Sequence, residues 1–275
     1  MSSQVNYVVA IPARYASTRL AGKPLASVAG QPMIAQVCRK ALQSSAQEVI
    51  ACVDHPAVVE ALEPLAQENP RLKICMTSDK PRSGTERIAE MITTSGMDPQ
   101  TVVVNVQGDE PLITKDHIDA VASLLINSGA DMSTLCAPIT LPQDVLDPNC
   151  VKVVLNAKNF ALYFSRAPIP YERDNFSKWQ QEHAQAGAGN FSYPELTTTH
   201  YHHIGIYGYK AQTILDYLKL NPAPSEQAES LEQLRLLHYG MSIAVAITDR
   251  PPEAGVDTAA DLERVNRILS AEQGK

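Results

Sequence analysis

The chain has 275 residues, of which 44% are hydrophobic and 19% are charged, a composition typical of globular proteins with a sizeable core. The formal net charge of −7 argues against a nucleic-acid partner, because nucleic-acid-binding proteins are usually basic. The five cysteines form no CxxC pair and no Cys/His group has zinc spacing, so neither disulfides nor zinc are expected. No signal peptide and no apolar run of about 20 residues is found, which predicts a cytoplasmic protein without membrane insertion.

The first half of the chain alternates short β-rich runs with helical patterns. Strands are predicted at Tyr7–Pro12, Glu48–Asp54, Lys73–Thr77 and Thr101–Gln107. Helices are predicted after Pro32 and over Pro56–Gln67, Thr85–Ser95 and Asp116–Asn127, and Pro64 is expected to shorten or kink the second of them. Such an alternation predicts an α/β fold with a mainly parallel central sheet flanked by helices.

The second half of the chain begins with a β-rich extension over residues 151–210. Its predicted strands are Val151–Leu155, Ala161–Arg166 and Tyr201–Tyr209, and the polar segment Glu172–Thr199 between them predicts a loop or flap. Later elements are helices near Ala211–Leu220 and Ser225–Tyr239, a strand at Ile243–Thr248 and a helix from Ala259. We treat residues 1–275 as a single domain.

A basic loop follows the first predicted strand, and ligands bind at such strand ends in open α/β sheets. It reads PARYASTRLAGKPL and carries Arg14, Arg19 and Lys23 among small residues. The loop is neither GxGxxG nor a Walker motif, which argues against dinucleotide and P-loop sites. Small residues let backbone N–H groups approach phosphate oxygens while the cations neutralise charge. A solvated basic loop is equally compatible with this segment alone, but the other strand ends favour phosphate binding.

Acidic residues follow the fourth predicted strand in the sequence VQGDEP. Asp109 at the edge of the sheet is a candidate magnesium ligand, although Gly, Asp and Pro are also typical of a turn. Asp257 in GVDT could complete the metal site, but by local sequence helix capping by Asp257 or Thr258 is the better explanation. Ser83 and Glu86 have capping-box spacing, and the same helix start could also face a nucleotide.

Polar residues of the β-rich extension suit a ligand with a carboxylate and many hydroxyls. Arg166 ends one strand, and His203 and Tyr207 share one face of another. For His203 alone, a structural histidine is the simpler explanation. The acidic stripe of Glu226, Glu229 and Glu232 could bind hydroxyls or be a solvated helix face.

These segments occur in an order that resembles one bacterial family, CMP-Kdo synthetase (3-deoxy-manno-octulosonate cytidylyltransferase). The matching segments are IPARYASTRLAGKPL, SGTER, VNVQGDEP, ALYFSRAPIP, HHIGIYGY, SLEQLRLL and GVDT, between about residues 6 and 268. The resemblance implies a GT-A-like nucleotide-diphospho-sugar transferase fold, with CTP and 3-deoxy-manno-octulosonate (Kdo) as substrates. It also implies Mg²⁺ as cofactor, a homodimer, and a role for residues 151–210 in sugar binding and dimerisation. The product would be CMP-Kdo, an activated sugar for lipopolysaccharide synthesis.

The resemblance also assigns roles to individual residues. It implies that Arg14, Arg19 and Lys23 bind the triphosphate, and that Asp109 and Asp257 bind the metal. Arg14, Lys23 and Asp109 are the expected catalytic residues. Further nucleotide-binding positions are Ala13, Ser83, Gly84, Thr85, Arg87 and Gln107. The expected sugar-binding residues are Gln107, Arg166, His203, Tyr207, Glu229 and Gln233.

The chain departs from the family pattern at three places. Ala21 stands where Pro is frequent, Lys178–Thr199 is longer than expected, and residues 225–228 differ from the usual neighbours of Glu229. Alternatives therefore stay open: a cytidylyltransferase for 8-amino-Kdo or sialate, or a nonenzymatic sugar-nucleotide sensor. A nicotinamide-dependent oxidoreductase would use an acid such as Asp54 after the second strand, but the first turn has the wrong sequence for it.

Overall fold

The computed structural model of the chain describes residues 6–16, 20, 22–185, 193 and 196–273. Its strands are β1 (Tyr7–Ala13), β2 (Ser27–Val28), β3 (Gln31–Pro32), β4 (Glu48–Val53), β5 (Leu72–Met76), β6 (Val102–Asn105), β7 (Met132–Pro138), β8 (Lys152–Leu155), β9 (Ala161–Ser165), β10 (Tyr201–Lys210) and β11 (Ile243–Ile247). Its helices are α1 (Met33–Leu42), α2 (Pro56–Glu68), α3 (Gly84–Ser95), α4 (Lys115–Ser128), α5 (Pro142–Leu146), α6 (Arg173–Gln185), α7 (Ala211–Tyr217), α8 (Pro224–Glu229), α9 (Gln233–His238) and α10 (Ala259–Gln273).

Two compact units divide the chain. Unit 1 comprises residues 1–133, 205–220 and 252–275, and unit 2 comprises residues 134–204 and 221–251. Two of the boundaries fall inside strands, β7 and β10, so the chain passes between the units without a linker there. This division into units does not test whether residues 1–275 form a single domain, so the single domain stays a prediction. Within the described residues, no helix has the length and apolar character needed to cross a membrane.

A parallel sheet forms the centre of unit 1, with the strand order β6-β1-β4-β5. Every residue of β1 is buried, as expected for a strand covered on both faces by helices. The last residues of β10 pair antiparallel with β6, with Tyr207 opposite Asn105. A separate cluster of Val28, Met33, Val256, Val265 and other apolar residues packs α10 and the segment before it onto α1. The predicted α/β architecture is therefore confirmed.

Antiparallel strands dominate unit 2. β8 pairs with β9 and with the start of β10, where Tyr201 lies opposite Val153. β7 lies between β10 and β11. The predicted β-rich extension is thus present, and β7 and the short helix α5 are additions that the sequence analysis did not predict.

Two predictions were wrong in detail. Residues 172–199 are not a loop throughout, because α6 occupies Arg173–Gln185; residues 186–192, 194 and 195 of this segment lie outside the described residues. The single helix predicted over Ser225–Tyr239 is two helices, since the chain takes a left-handed conformation at Ser230 with φ of 52°. Of the two effects expected at Pro64, shortening is absent, because α2 continues to Glu68, and the kink stays a prediction.

Two aromatic residues explain why α6 is helical. Phe176 and Trp179 are one turn apart, both are buried, and they pack against Val145 with their ring centroids 5.5 Å apart. Glu172, just before the helix, binds the returning chain: its carboxylate accepts hydrogen bonds from the backbone N–H groups of Thr197 and Thr198. Glu172 therefore connects the chain just before α6 to Thr197 and Thr198, which precede β10.

Replacing Glu172 with Gln is expected to reduce stability in a pH-dependent way. Burial alone would raise the pKa of this carboxyl, but hydrogen bonds from Thr197, Asn175 and Thr198 outweigh burial and lower the pKa to about 2. The ionised group then contributes about 3 kcal/mol to the free energy of unfolding above pH about 4.5, and this contribution disappears as the pH falls towards 2.

Urea unfolding of Glu172→Gln and the wild type at several pH values measures this contribution. The difference should be about 1–3 kcal/mol at pH 7, because Gln can keep some of the hydrogen bonds, and smaller at pH 3. Glu63→Gln, at an exposed position of α2, is the control and should stay within about 0.5 kcal/mol. A difference independent of pH would contradict the assignment.

The strand β10 offers a matched pair of glycines for a second prediction. A Cβ at Gly208 would lie 2.5 Å from Ser133 Oγ and 2.9 Å from Val121 Cγ1, whereas a Cβ at Gly205 would meet nothing within 4 Å. Gly208→Ala should therefore lower the free energy of unfolding by about 1–3 kcal/mol, and Gly205→Ala by less than about 0.5 kcal/mol. Equal losses in urea unfolding would show that Gly208 is not tightly packed.

Candidate functional site

A cavity of about 430 Å³ opens at the carboxyl ends of β1 and β6 in unit 1. Its volume lies within the range usual for small-molecule sites. The lining contains eight residues that the sequence analysis assigned to nucleotide or metal: Ala13, Arg14, Lys23, Ser83, Gly84, Arg87, Gln107 and Asp109. The strand ends are therefore brought together as the sequence predicted.

Close backbone packing fixes the floor of this cavity. A Cβ at Gly108 would lie only 2.8 Å from the carbonyl oxygen of Pro12 and 3.3 Å from Cβ of Ala13. No larger residue fits between these two strand ends, which explains the glycine before Asp109. Beside it, Gln107 donates to the side-chain oxygen of Asn105 at 3.3 Å.

Lys23 lies between the two candidate metal ligands. Its Nζ donates to Asp109 Oδ2 at 2.6 Å and to Asp257 Oδ1 at 3.0 Å. Burial lowers the pKa of Lys23, but Asp109 and Asp257 outweigh burial, and the net pKa is raised. The ammonium group is therefore charged at neutral pH and neutralises part of the charge of the two carboxylates.

The segment that carries Asp257 is attached to the backbone of Asp109. The N–H of Val256 donates to the carbonyl oxygen of Asp109 at 2.9 Å, and a Cβ at Gly255 would lie 2.7 Å from the same oxygen. Arg264 of α10 donates to the carbonyl oxygens of Ala254 and Gly255 at 2.7 and 3.0 Å. These contacts set the separation of the two carboxylates.

The start of α10 shows which residue acts as the cap. Thr258 Oγ1 accepts from the N–H of Asp261 at 3.2 Å, while Asp261 Oδ2 accepts from the N–H groups of Asp257 and Thr258. The capping function predicted for Asp257 or Thr258 is thus performed by Thr258. The side chain of Asp257 is left to contact Lys23.

Glu110 is a third acid near this site that the sequence analysis did not assign. Burial, followed by the charges of Asp109 and Asp257, raises its pKa to about 8. Its carboxyl group lies so close to Gly255 that a Cβ there would be 2.8 Å from Glu110 Oε1. Glu110 is therefore mostly protonated at pH 7 and adds little negative charge to the site.

The two aspartates fit a divalent cation by their chemistry. Both place a carboxylate oxygen within 3.0 Å of one point, Lys23 Nζ, so one cation could contact both. Carboxylate oxygens are the ligands that Mg²⁺ prefers, and Mg²⁺ in nucleotide sites commonly takes one or two protein carboxylates together with substrate phosphates. Among the described residues, no group of three or more His, Cys, Asp or Glu has the geometry of a metal site.

The first turn of α3 forms another side of the cavity. Ser83 Oγ accepts from the N–H of Glu86 at 3.3 Å, as the capping box predicts, whereas the Glu86 carboxylate accepts from the N–H of Arg82 at 2.7 Å instead of from that of Ser83. Thr85 lies in the same turn. Arg87 lines the cavity, but it is almost fully buried and its Nη2 donates to Asp54 Oδ2 at 2.9 Å.

Two of the residues assigned to the sugar, Arg166 and Glu229, are in contact in unit 2, and a third, Gln233, belongs to the same unit. The N–H of Arg166 donates to Glu229 Oε2 at 2.9 Å, and its Nε donates to the carbonyl oxygen of Glu229 at 2.7 Å. Gln233 is 4% exposed, and its Nε2 finds no hydrogen-bond partner within the described part of the chain. A buried amide donor of this kind is available to a ligand oxygen.

The other residues assigned to the sugar have different surroundings. His203 is buried in unit 2, with Nε2 3.1 Å from Thr134 Oγ1. Burial, and then the neighbouring His202, lower the pKa of His203 to about 3, so the ring is neutral. Tyr207 belongs to unit 1 and stacks with Tyr209 at a centroid distance of 6.4 Å. Arg19, assigned to the triphosphate, lies outside the described residues.

The proteins that resemble this chain are named for a reaction that suits the residues of this site. A family model described as cytidylyltransferase matches residues 8–243. A 3-deoxy-manno-octulosonate cytidylyltransferase of Pasteurella multocida (strain Pm70) is 46% identical over 265 residues, which cover 96% of this chain and 98% of that protein. One from Aeromonas salmonicida (strain A449) is 47% identical over 266 residues, covering 97% and 100%.

Two solved structures resemble this chain in fold. The structure of CMP:2-keto-3-deoxy-manno-octonic acid synthetase complexed with CTP superposes with a TM-score of 0.81 and 35% identity, and the match covers 97% of this chain and 99% of that one. A cytidylyltransferase from Leptospira borgpetersenii serovar Hardjo-bovis (strain JB197) has a TM-score of 0.58 at 14% identity, covering 98% and 88%. The second likeness concerns the fold alone.

Proposed function

Because this chain belongs to the 3-deoxy-manno-octulosonate cytidylyltransferase family, we propose that it converts CTP and Kdo to CMP-Kdo and pyrophosphate. The observation that carries this proposal is the contact of Lys23 with both Asp109 and Asp257, since Lys23 lines a cavity formed by strand ends. A cation and two acids at one point suit the transfer of a phosphoryl-type group, which needs mainly positioning and charge neutralisation. CMP-Kdo would supply activated Kdo for lipopolysaccharide synthesis.

The proposed reaction transfers the cytidylyl group of CTP to Kdo. The anomeric hydroxyl of Kdo attacks the α-phosphorus of CTP and releases its proton to solvent, the bond between this phosphorus and the bridging oxygen breaks, and pyrophosphate leaves. Arg14 is exposed at the cavity wall and Lys23 lies deeper, so the two can neutralise charge on the α-phosphate and on the leaving group. Ala13, Ser83, Gly84, Thr85 and Gln107 would position the nucleotide, and Arg19 would assist on the triphosphate.

Asp109 and Asp257 are the residues that would hold Mg²⁺. The bound ion would supply charge neutralisation at phosphate oxygens. The support for this assignment is the shared contact of the two carboxylates with Lys23 and the oxygen-only character of the donor set.

For the sugar, we propose that Arg166, His203, Glu229 and Gln233 of unit 2 bind Kdo, while the sugar contacts expected of Gln107 and Tyr207, which belong to unit 1, stay predictions of the sequence. Support comes from unit 2, where the amide nitrogen of Gln233 has no hydrogen-bond partner among the described residues and is available to a sugar hydroxyl. Arg166 already donates to Glu229 and to the carbonyl oxygen of Pro148, so it would contact the ligand with its remaining donor atoms. The neutral ring of His203 would contribute a hydrogen bond, since its pKa of about 3 keeps it uncharged.

Assembly and location are further parts of the proposal. Residues 151–210 would contribute to a homodimer, and the exposed apolar side chains of Leu162 and Tyr163 in β9 support an interface there. The cytoplasmic location stays a prediction of the sequence. Gel filtration with light scattering tests the dimer: a mass near 60 kDa supports it, and a mass near the chain's 29.9 kDa contradicts it.

Pyrophosphate release from CTP and Mg²⁺ with Kdo, 8-amino-Kdo and N-acetylneuraminate in parallel tests the proposed reaction. We expect release with Kdo. Release with one of the other sugars alone would keep the chemistry and overturn the substrate. CTP binding without release with any of the three would indicate a nonenzymatic sensor of sugar nucleotides.

A further inference from the structure

Asp54 is the buried acid that follows β4, and neither the cavity lining nor the family motifs include it. Its carboxylate bridges two parts of unit 1. Oδ1 accepts from the backbone N–H of Tyr15 at 2.8 Å, and Oδ2 accepts from Arg87 Nη2 at 2.9 Å. Its side chain is 7% exposed, so both hydrogen bonds are shielded from water and strengthened by charge. Each oxygen of the Asp54 carboxylate thus already accepts a hydrogen bond from within the protein.

The partner on α3 is held at several points. Arg87 also donates to Thr77 Oγ1 and, at 3.1 Å, to the carbonyl oxygen of Ser78, and its side chain is 2% exposed. The Ser78 side chain and N–H donate in turn to the carboxylate of Glu90, one turn further along α3. Arg87 therefore ties the segment after β5 and Asp54 to the helix whose first turn lines the cavity.

The partner after β1 is the loop that carries the cations. The ring of Tyr15 stacks on that of His55 with centroids 3.9 Å apart and an interplanar angle of 15°. His55 is itself fixed, because its Nδ1 accepts from the N–H of Ala57 and so caps α2. On the other side, Gly22 lies next to the Tyr15 ring, where an added Cβ would be 3.7 Å away. Tyr15 thus contacts both Asp54 and the residue that precedes Lys23.

We propose that Asp54 is a positioning residue, which holds the loop of Arg14 and Lys23 at a fixed distance from the first turn of α3 through its hydrogen bonds to Tyr15 and Arg87. The inference rests on the proposed function, since the ligand whose binding it aids is CTP. In this arrangement Arg87 acts through Asp54 and not by direct contact with the nucleotide. An error in the distance between loop and helix would weaken triphosphate binding, because phosphate oxygens need charged groups in a set geometry.

The test is CTP binding by Asp54→Asn, measured by titration calorimetry with Mg²⁺ present. Asn can keep only one of the two hydrogen bonds, since its amide nitrogen is a donor facing another donor. We expect the Kd for CTP to rise at least tenfold, and the KM for CTP to rise while the KM for Kdo stays within twofold. A Kd within twofold of the wild type in the folded variant would overturn the proposal. Failure of the wild type to bind CTP would overturn the proposed function instead.

A matched control is Glu226→Gln in unit 2. Glu226 also accepts from an arginine, Arg235 Nε at 2.8 Å, and from a backbone N–H, that of Ala223 at 3.0 Å. Its side chain is 10% exposed, so the loss of stability should be similar. The Kd for CTP should nevertheless stay within twofold. If Glu226→Gln weakens CTP binding as much as Asp54→Asn does, general destabilisation explains both results and the proposal fails.

A second variant distinguishes positioning from direct contact. Arg87→Lys loses the set of hydrogen bonds to Asp54, Thr77 and Ser78 and leaves the bond between Asp54 and Tyr15. Because Asp54→Asn and Arg87→Lys break the same bond, the double variant should have a Kd for CTP less than threefold above that of Asp54→Asn alone. Additive losses in the double variant would assign direct nucleotide contact to Arg87 and overturn the proposal. If Asp54→Asn does not fold, hydrogen exchange of the backbone amides in the wild type tests the proposal instead. The N–H of Tyr15, which donates to Asp54, should exchange more slowly than the N–H of Arg14. Equal exchange rates of the two amides would overturn the inference.

Discussion

Asp109→Asn is expected to lower kcat for pyrophosphate release by about 10³-fold, equivalent to about 4 kcal/mol of transition-state stabilisation. The substitution removes a charge that contacts Lys23 at 2.6 Å and that we assign to the metal. The side chain keeps its size, and the backbone carbonyl of Asp109, which holds Val256, is unchanged. The fold should therefore survive, so the loss would be one of chemistry. The measurement is the rate of pyrophosphate release at saturating CTP, Kdo and Mg²⁺.

Glu110→Gln is the matched control for this experiment. Glu110 follows Asp109 directly but is not among the described residues that line the cavity, and Gln has nearly the same size and shape as Glu. We expect kcat within threefold of the wild type at pH 7. Turnover of Asp109→Asn within tenfold of the wild type would remove Asp109 from the proposed metal site.

Lys23→Met is expected to affect metal and nucleotide binding in opposite directions. Lys23 Nζ contacts both carboxylates, so a divalent cation at the same oxygens must compete with its charge. Without this charge, Mn²⁺, used as a spectroscopic substitute for Mg²⁺, should bind the nucleotide-free protein about tenfold more tightly. CTP should bind more weakly, and kcat should fall about 10²-fold, because a cation is missing where negative charge develops.

Electron paramagnetic resonance of free Mn²⁺ measures the first effect, and calorimetry with CTP measures the second. The matched control is Arg82→Met, which removes an exposed cation from the lining of the same cavity. Arg82 pairs with Glu86 and not with the aspartates, so Mn²⁺ affinity should be unchanged. Unchanged or weaker Mn²⁺ binding by Lys23→Met would show that Lys23 and the metal do not share ligands.

The parallel sheet of unit 1 could be predicted from sequence because its strands have a strong local signal. β1, β4 and β6 are short apolar runs, as expected for strands covered on both faces, and helical periodicity separates them. The helix α6 had no such signal: its sequence is mostly polar, and Phe176 and Trp179 are the buried apolar side chains among residues 173–179, for which burial is described. Polar composition alone was therefore a poor guide to a loop.

Within the site, the sequence predicted the residues at the strand ends but not the residues that hold them in place. Residues of the loop after β1 and Asp109 after β6 line one cavity, because parallel strands end at one edge of the sheet. The local sequence indicated that Asp257 caps a helix. Only the folded structure shows that Thr258 is the cap and that the side chain of Asp257 contacts Lys23. Asp54 contacts Tyr15 through a backbone N–H across 39 residues, and no residue pattern encodes such a bond.

The contact between Lys23 and Asp257 spans 234 residues, which has a consequence for biosynthesis. A ribosome synthesises Lys23 and Asp109 long before Asp257, so a nascent chain contains one carboxylate of the site well before the second emerges. The pair of carboxylates around Lys23 can form only after the segment of Val256 and Val265 packs against Val28 and Met33. A nascent chain without this segment therefore lacks one of the two carboxylates that we propose hold the metal.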